Sequence, residues 1–354
     1  QYEAPAFSFL ANVAAVPLAT CAFTLAFLLI FLPYTVFHEA ISWMIQGVLW
    51  ISRQSYGMLT IGHVPFLWVL LFYFMTGLWI WKKNGQNRHI RISLAYVIMI
   101  ILIWIPMARR KSLAFLDVGQ GDCFVADTKS GAIIFDGGSS SEDQVGRYQI
   151  LPYMKYLGYQ KIQIAVISHM DIDHYSGIKE LLEMGKIKYL GLPEIPKDET
   201  MKKIIGIAKK RGTTIFYLSR GRQITTKDGS LKVLHPQKNS QMEKNAASLV
   251  MQGKILGYRV LLTGDVEKEG EEELLSEELE RADILKAAHH GSKNSTSNEF
   301  LQKVQPKQTV ISCGKQNRYG HPHLETIHRL QTYRTKIYRT DRSGAIIFFK
   351  RRDG

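Results

Sequence analysis

The chain has 354 residues and a formal net charge of +14, with 45 Lys and Arg against 31 Asp and Glu. Its three cysteines, Cys21, Cys123 and Cys313, are too few and too scattered for a disulfide framework or a thiolate metal site. The length predicts two or three domains. Because the first residue is Gln1 rather than Met and stands in apolar sequence, we expect a piece of a longer protein, or a processed one.

Residues 1–111 have the composition of a membrane segment. No charged residue occurs between positions 4 and 37, and about 20 apolar residues match the thickness of a bilayer. We predict transmembrane helices near residues 16–34, 64–81 and 92–108. Between the first two, Ala40, Ile41, Met44 and Ile45 repeat at helical spacing. They predict a helix that lies in the membrane interface or is buried in a larger bundle.

The basic residues near the spans bear on orientation. Segment 82–91 is the densest short basic loop between spans, which favours the cytoplasmic side for it. Three spans then place the following domain outside, whereas Arg109, Arg110 and Lys111 argue for the opposite. Since long domains translocate largely regardless of charge, we expect a multi-pass protein of the cell membrane with an extracytoplasmic C-terminal domain.

Residues 107–354 carry 40 of the basic and 29 of the acidic side chains. Such an excess favours a polyanionic partner, either nucleic-acid phosphates or an anionic membrane surface. Short apolar runs between Gly-rich turns alternate with helical periodicity. They predict two sheets packed face to face with helices outside. The predicted strands are 112–118, 122–127, 132–136, 162–168, 187–192, 213–218, 230–234, 248–252, 259–263, 283–288, 308–312, 336–340 and 345–349. The predicted helices are 150–157, 177–184, 201–211, 267–279, 297–304 and 324–333.

Four potential metal ligands lie within six residues, directly after the apolar run 162–168. They are His169, Asp171, Asp173 and His174. Ligands on a loop after a strand point into one small volume, and imidazoles with carboxylates suit Zn²⁺ or Mn²⁺. The alternative is a polar loop with a chance cluster of these residue types.

Other polar residues also end apolar runs. Asp265 follows residues 258–263, His289 and His290 follow residues 283–288, and His321 stands in a polar loop after residue 312. Acids and imidazoles gathered in one place would repel each other or titrate without a cation, so we expect one or two divalent ions, Mn²⁺ or Zn²⁺.

Three carboxylates lie in Gly-rich turns that precede this cluster. Asp117 and Asp122 bracket two glycines, and Asp136 ends the third predicted strand. We expect these three side chains to support the ligands through hydrogen bonds, because a ligating His usually bonds a carboxylate through its other nitrogen. Hairpin chemistry alone also explains the turn that holds Asp117 and Asp122.

The run from His169 to His174 resembles the His-x-His-x-Asp-His motif of the metallo-β-lactamase fold, with Asp171 in place of the middle His. Asp265 matches the bridging Asp of that fold, and His289-His290 its late His motif. Asn245 occupies the place of a third-motif His and is a candidate substitute for it.

Together with Asp-Val-Gly-Gln-Gly-Asp at 117–122, Thr-Gly-Asp at 263–265 and Gly-His-Pro at 320–322, these motifs cover residues 112–354. They resemble the C-terminal domain of the ComEC family of DNA-internalisation competence proteins. The resemblance implies an α/β metallo-β-lactamase αββα sandwich preceded by a transmembrane α-helical segment at 1–111.

The resemblance further implies a metal-dependent phosphodiesterase, or nuclease, that degrades the strand of incoming DNA that is not transported. One ion would take His169, Asp171 and Asp265, with Asn245 or water. The other would take Asp173, His174, Asp265 and one of the two late histidines, His289 or His290. Catalysis is assigned to Asp173, His174 and Asp265, and substrate contacts to Asn245, Ser248, Ser292, Lys293 and His321.

The expected partners are DNA, bound without sequence preference, the lipid bilayer, and other components of the DNA-uptake machinery. Two alternatives remain from the sequence. One is a catalytically silent DNA-binding funnel, and the other is a hydrolase of a small or wall-bound phosphoester.

Overall fold

The computed structural model describes residues 3–5, 8–29, 35–53, 58–60, 62–63, 66–81, 93, 110–242, 245–277 and 279–351. The chain divides into two compact units, Gln1–Met107 and Ala108–Gly354.

The first unit contains the helices Ser8–Leu28, Thr35–Arg53 and Phe66–Trp81. Strand Glu3–Pro5 pairs antiparallel with Met58–Thr60. The amphipathic helix that the sequence predicts between the first two spans is present as Thr35–Arg53.

The spans predicted near 16–34 and 64–81 overlap the other two helices. Across the part of the chain that the structure describes, no helix is both long and apolar enough to cross a membrane. The span predicted at 92–108 and the basic loop at 82–91 lie outside the described residues, apart from Ser93.

The second unit contains two mixed seven-stranded sheets. The strands of the first sheet, in spatial order, are Ile346–Phe349, Ser112–Phe115, Phe124–Thr128, Gly131–Phe135, Ile162–Val166, Ile187–Pro193 and Thr214–Leu218. Those of the second are Lys336–Arg339, Gln308–Ile311, Ile284–Lys286, Tyr258–Leu262, Val250–Ile255, Gly229–His235 and Gln223–Thr226.

Each sheet changes from antiparallel to parallel pairing near its middle. In the first sheet, Gly131–Phe135 pairs parallel with Ile162–Val166, and that strand pairs parallel with Ile187–Pro193. In the second, Tyr258–Leu262, Ile284–Lys286 and Gln308–Ile311 are parallel neighbours. Parallel strands end at the same edge of a sheet, so the loops that follow them gather there.

Three apolar layers hold this unit together. The middle layer lies between the sheets and includes Phe115, Phe135 and Val166 from the first sheet with Val233 and Val260 from the second. Alternate residues of the same strands point outward, because successive side chains of a strand face opposite sides. They pack against helices on both outer faces.

On the outer face of the first sheet lie the helices Leu151–Tyr156, Ile172–Glu183 and Glu199–Lys210. On that of the second lie Lys268–Leu275, Asn298–Val304 and Leu324–Thr332. The sandwich of two sheets with outer helices is therefore as the sequence predicts.

Beyond small shifts of element ends, the structure differs from the predictions at one helix and at one strand that the sequence does not predict. The helix predicted to begin at Gly177 begins at Ile172, which brings Asp173 and His174 into its first turn. Gly177 lies inside the helix because that face approaches the backbone, and a Cβ there would come within 2.6 Å of Gly137 O. The short polar strand Gln223–Thr226 was not predicted, since its half-exposed side chains give little apolar pattern.

Candidate metal centre

The ligands predicted from the sequence come from the ends of parallel strands in both sheets. Strand Ile162–Val166 leads to His169 and His174, and Tyr258–Leu262 leads to Asp265. Strand Ile284–Lys286 leads to the turn Ala288–Gly291, which carries His290. One carboxylate oxygen, Asp265 Oδ2, lies 3.2 Å from His174 Nε2 and 3.3 Å from His290 Nε2. Asp173 Oδ2 lies 3.3 Å from the same nitrogen of His290.

The other nitrogen of each imidazole is occupied. Nδ1 of His174 lies 2.9 Å from Asp136 Oδ2, and Nδ1 of His290 lies 2.9 Å from the carbonyl oxygen of Ser312. A carbonyl can only accept, so His290 carries its proton on Nδ1, and its Nε2 lone pair points toward the carboxylates when the ring is neutral. This is the arrangement in which a His binds a metal through Nε2.

Three buried imidazole nitrogens, Nε2 of His169, His174 and His290, make no hydrogen bond. Unpaired polar atoms in an interior are costly. Bonds of about 2.1 Å to a tetrahedral metal would separate its ligand atoms by roughly 3.4 Å. The observed spacings of 3.2 and 3.3 Å around Asp265 fit that geometry. These residues therefore suit a divalent cation held by His174, His290, Asp173 and Asp265.

His169 and Asp171 lie beside this group and form a more open pair. His169 Nε2 is 3.6 Å from Asp171 Oδ2, and the Asp171 side chain is 38% exposed. The rings of His169 and His174 are 4.1 Å apart. Ser168 Oγ lies 3.0 Å from His169 Nδ1, which again leaves Nε2 free. A second ion at this pair would have fewer buried protein ligands than the first.

His289 differs from His290 although the two are adjacent. Both have positive φ angles, 48° and 52°, a conformation that non-glycine residues rarely adopt. The turn aims His290 into the cluster, where it is buried. His289 instead pairs with Glu267 at 2.8 Å, and its Nε2 lies 3.8 Å from Asp265 Oδ2. The geometry favours His290 as the ligand.

Lys286 is buried beneath the cluster and was not anticipated. Its ammonium forms an ion pair with Asp122 and lies 3.3 Å from Asp265 Oδ1. It also donates a hydrogen bond to the Gly264 carbonyl. One oxygen of Asp265 is thus held by Lys286 while the other faces the two histidines.

Asp122 also lies close enough to these residues to be considered as a ligand. Asp122, His174, Asp265 and His290 each offer an atom within 4.8 Å of the others. The oxygens of Asp122, however, approach the Nδ1 atoms of His174 and His290, at 3.7 and 3.5 Å. Asp122 therefore lies on the side of the rings away from Asp265 Oδ2, where it contacts Lys286.

The charges in the cluster stabilise one another. Burial alone would raise the pKa of Asp122, but Lys286 and His290 bring it down to about 2. Burial likewise disfavours the ionised Asp265, yet His174 and His290 hold its pKa well below the usual range. Without a cation all these carboxylates stay ionised.

The imidazoles respond in the opposite sense. Burial would lower the pKa of His174, but Asp265 and Asp136 raise it well above the ordinary value. Asp265 and Asp122 raise the pKa of His290 in the same way against burial. Metal ligation requires neutral imidazole, so a cation that enters here displaces protons.

Asp136 and Asp117 have different surroundings. Asp136 is fully buried, and its Oδ1 accepts a hydrogen bond from Ser168 N at 2.7 Å while Oδ2 holds His174. Asp136 thus links both ends of the motif loop. Asp117 Oδ1 accepts from Gly119 N at 3.3 Å, a local turn contact. Asp117 thus has a contact typical of a turn, whereas Asp122 from the same turn contacts the cluster.

Of the five predicted substrate contacts, two line the open cleft above the cluster. This cleft has a volume of about 470 Å³ and includes Asn245 and His321 in its walls. Burial, with the charges of His290 and His289, lowers the pKa of His321 to about 4, so the ring is neutral near pH 7.

The other three lie elsewhere. Ser248 is buried, and its Oγ accepts a hydrogen bond from Asp265 N, so it supports a ligand and is not available to substrate. Ser292 is buried in the turn after His290, where its Oγ accepts from Asn294 N. Lys293 is exposed and lines a separate groove with Glu271 and Arg329. Ser248 and Ser292 are thus buried and Lys293 lines another groove, so the structure does not bring these three residues to the cleft.

The comparisons with known proteins agree with this architecture. The family model described as "Metallo-beta-lactamase superfamily" matches residues 116–315. The chain belongs to the metallo-β-lactamase superfamily, and the predicted α/β sandwich fold is confirmed.

More narrowly, its homologues are DNA-uptake competence proteins. The chain is 34% identical over 294 residues to ComE operon protein 3 of Bacillus subtilis, and the matched region covers 77% of this chain and 38% of that protein. It is 30% identical over 248 residues to competence protein ComA of Neisseria gonorrhoeae, covering 67% and 32%. It is 27% identical over 268 residues to recombination protein 2 of Haemophilus influenzae, covering 75% and 32%. The chain thus spans about a third of the length of these relatives, and the resemblance to the competence family is confirmed.

Proposed function

We propose that the second unit is a metal-dependent phosphodiesterase that cleaves DNA during uptake and degrades the strand that is not transported. One observation supports it above the others. Buried Nε2 atoms of His174 and His290 converge without hydrogen-bond partners on Asp265 Oδ2, at the spacing of a metal's ligands. Asp173, Asp265 and His290 of this set line an open cleft, which gives a large substrate access.

The residues divide into ligands and supports. His174, His290, Asp173 and Asp265 would hold an inner ion, and His169 with Asp171 and Asp265 an outer one. Divalent ions in such a pair lower the pKa of a water molecule and neutralise the charge that develops on a transferring phosphoryl group. Asp136 fixes the ring of His174, and the Ser312 carbonyl fixes that of His290. Lys286 holds one oxygen of Asp265, while the other faces these two histidines.

The number of carboxylates in the cluster supports two bound divalent ions over one. Asp122, Asp136, Asp173 and Asp265 are buried or nearly so, and Asp171 stands at the cleft. Lys286 offsets one of these five negative charges, and two divalent cations with neutral histidines would offset the remaining four. Buried charges are tolerated when they are compensated in this way.

DNA is the proposed substrate because of the family and the surface charge. Residues 107–354 hold 40 Lys and Arg against 29 Asp and Glu, an excess that favours a phosphate backbone without reading bases. The inner ligand set supports a metal-dependent site over a silent DNA-binding funnel, because its imidazoles and carboxylates lie at the spacing of metal ligands.

The test is cleavage of labelled linear DNA by the whole chain in detergent, stripped of metal and then supplied with Mn²⁺ or Zn²⁺. Asp173→Ala, purified identically, controls for contaminating nuclease. Cleavage by the wild type that the variant lacks supports the proposal. Equal cleavage by both, or none by either with metal bound, removes it.

We further propose that residues 1–111 lie in the cell membrane and that the catalytic unit is extracytoplasmic. The uncharged windows at 16–34, 64–81 and 92–108 support the first part, and the basic loop at 82–91 supports the second. Protease digestion of intact spheroplasts tests it, because an extracytoplasmic unit is degraded without lysis and a cytoplasmic one is protected.

A further inference from the structure

The cleft above the cluster has aromatic and aliphatic side chains in its lining as well as the metal ligands. One part of its lining comes from the segment that carries the ligands and includes Met170, Ile172 and Tyr175. Another comes from the loop after strand Gln308–Ile311 and includes Tyr319 and His321. Ile172 is 54% exposed and Tyr319 is 43% exposed, so both offer apolar surface to whatever enters.

The aromatic rings form a row that leads outward from the metal ligands. The ring of His321 lies 6.2 Å from that of His290, and Tyr319 is stacked on His321 at 5.7 Å with an angle of 22° between the rings. The guanidinium of Arg318 lies 4.9 Å from the Tyr319 ring centroid, and it donates a hydrogen bond to the Tyr319 hydroxyl. Planar groups therefore continue from the cluster to the rim of the cleft.

The loop that carries this row is held in place. Asn317 donates through Nδ2 to the carbonyls of Gly314 and His321, and its Oδ1 accepts from His321 N at 2.9 Å. Gly314 N in turn donates to Gln120 Oε1, which ties the loop to the first sheet. A fixed loop can present a stacking surface without first having to be ordered.

Positive charge lies at the same rim. Lys315 and Arg318 are exposed, and within the described ranges 110–242, 245–277 and 279–351 neither forms an ion pair with a carboxylate. Their charges are available to a polyanion that approaches the cleft. A ligand that carries phosphates and flat apolar groups in alternation matches this combination of rings and cations.

We propose that the exposed surface of Tyr319, backed by His321, forms a stacking subsite for an unpaired nucleobase next to the phosphate held over the metal cluster, so that the site takes single-stranded nucleic acid. The inference rests on the proposed function and adds the substrate class to it. In a duplex both faces of a base are covered by its neighbours, so a paired base would first have to leave the stack. A small or wall-bound phosphoester that lacks a nucleobase would leave this subsite empty.

The test measures binding by the whole chain in EDTA, without cleavage. Two fluorescent oligonucleotides of equal length and charge are compared, oligo-dT and an abasic strand with the same number of phosphates. Stacking of one base on an aromatic side chain predicts a preference of about 5- to 100-fold for oligo-dT. Tyr319→Ala should remove most of this preference, and Tyr319→Phe should keep it.

Tyr148→Ala is the matched control, because Tyr148 is 65% exposed but does not line the cleft. Should Tyr319→Ala fail to fold, Tyr319→Leu keeps apolar bulk without an aromatic face and should lose the preference as well. Equal affinity of the wild type for both oligonucleotides overturns the subsite, and so does an effect of Tyr148→Ala as large as that of Tyr319→Ala.

Cleavage assays with Mn²⁺ separate this inference from the function on which it rests. Cleavage of DNA with no preference for oligo-dT would leave the nuclease and remove the subsite. A preference for oligo-dT that Tyr319→Ala abolishes, without cleavage, would leave the subsite and remove the nuclease.

Discussion

Lys286 Nζ lies 3.3 Å from Asp265 Oδ1, and the two side chains are only 5% and 4% exposed. A buried ammonium next to a metal ligand is unexpected, since it repels the cation that the ligand attracts. Its position explains this, because it contacts the oxygen of Asp265 that the histidines do not use and also pairs with Asp122. Lys286 therefore neutralises carboxylates on the far side of the cluster and orients Asp265.

Lys286→Met should destabilise the metal-free protein by about 3 to 5 kcal/mol, the usual cost of removing one partner from a buried ion pair. A bound cation would compensate part of the freed charge, so the loss should shrink when metal is saturating. Urea unfolding with and without Mn²⁺ measures both values. Lys268→Met is the control, because Lys268 is exposed and its pair with Glu272 is 3.9 Å long. A loss no larger than that of the control would mean that the buried pair contributes little.

His290→Ala should abolish tight binding of the inner ion, and His289→Ala should leave most of it. His290 Nε2 lies between Asp173 and Asp265, whereas His289 pairs with Glu267. We expect a loss of affinity above about 100-fold for His290→Ala, more than the 10- to 100-fold typical of an outer partner. Calorimetric titration with Mn²⁺ compares the variants. Equal losses would show that the two histidines share the ion.

The sequence predicts these ligands because a single physical regularity marks them. Apolar runs that fold as parallel strands end at one edge, so polar residues in the segments that follow them, His174, Asp265 and His290, meet there. The choice between His289 and His290 could not be predicted. It depends on two successive left-handed φ angles, which no local pattern of side chains indicates.

Lys286 was missed for a related reason. It stands in an apolar run, where one lysine is usually assigned to an exposed face. Its partner Asp122 lies in the turn before strand Phe124–Thr128 of the other sheet. Contacts between the two sheets depend on strand register and side-chain packing, which the amino-acid sequence alone does not reveal. The same holds for Ser248, whose hydroxyl faces Asp265 rather than the cleft.

Asp136→Asn should weaken metal binding by about 10- to 100-fold, although Asp136 is not itself a predicted ligand. Its two oxygens hold Ser168 N and His174 Nδ1, so the substitution leaves the imidazole poorly oriented. Asp117→Asn is the matched control, because Asp117 contacts only its own turn through Gly119 N among the hydrogen bonds of residues 110–242. Both variants are compared by Mn²⁺ titration, and similar affinities for the two would remove the role assigned to Asp136.

The metal-free protein should lose stability as the pH rises above about 6.5. The pKa values of His174 and His290 in the folded state are raised well above 6.5. Their contribution to the free energy of unfolding is therefore fully present below pH 6.5 and is lost as the pH rises through the folded-state pKa. Asp122, Asp173 and Asp265 have lowered pKa values, and their contribution is present above about 3.8 and lost as the pH falls. The metal-free form should therefore be most stable between about pH 4 and 6.5.

With bound metal, the stability of the protein should rise rather than fall as the pH increases above about 6.5. A cation requires neutral imidazoles, so its apparent affinity should rise with pH while each ion that enters the inner site releases protons from His174 and His290. Thermal melts in EDTA and in Mn²⁺ from pH 4 to 9 compare the two forms. Calorimetry in buffers of different ionisation enthalpy counts the protons. Affinity that does not change with pH, without proton release, would mean that these two histidines are neutral before the metal arrives.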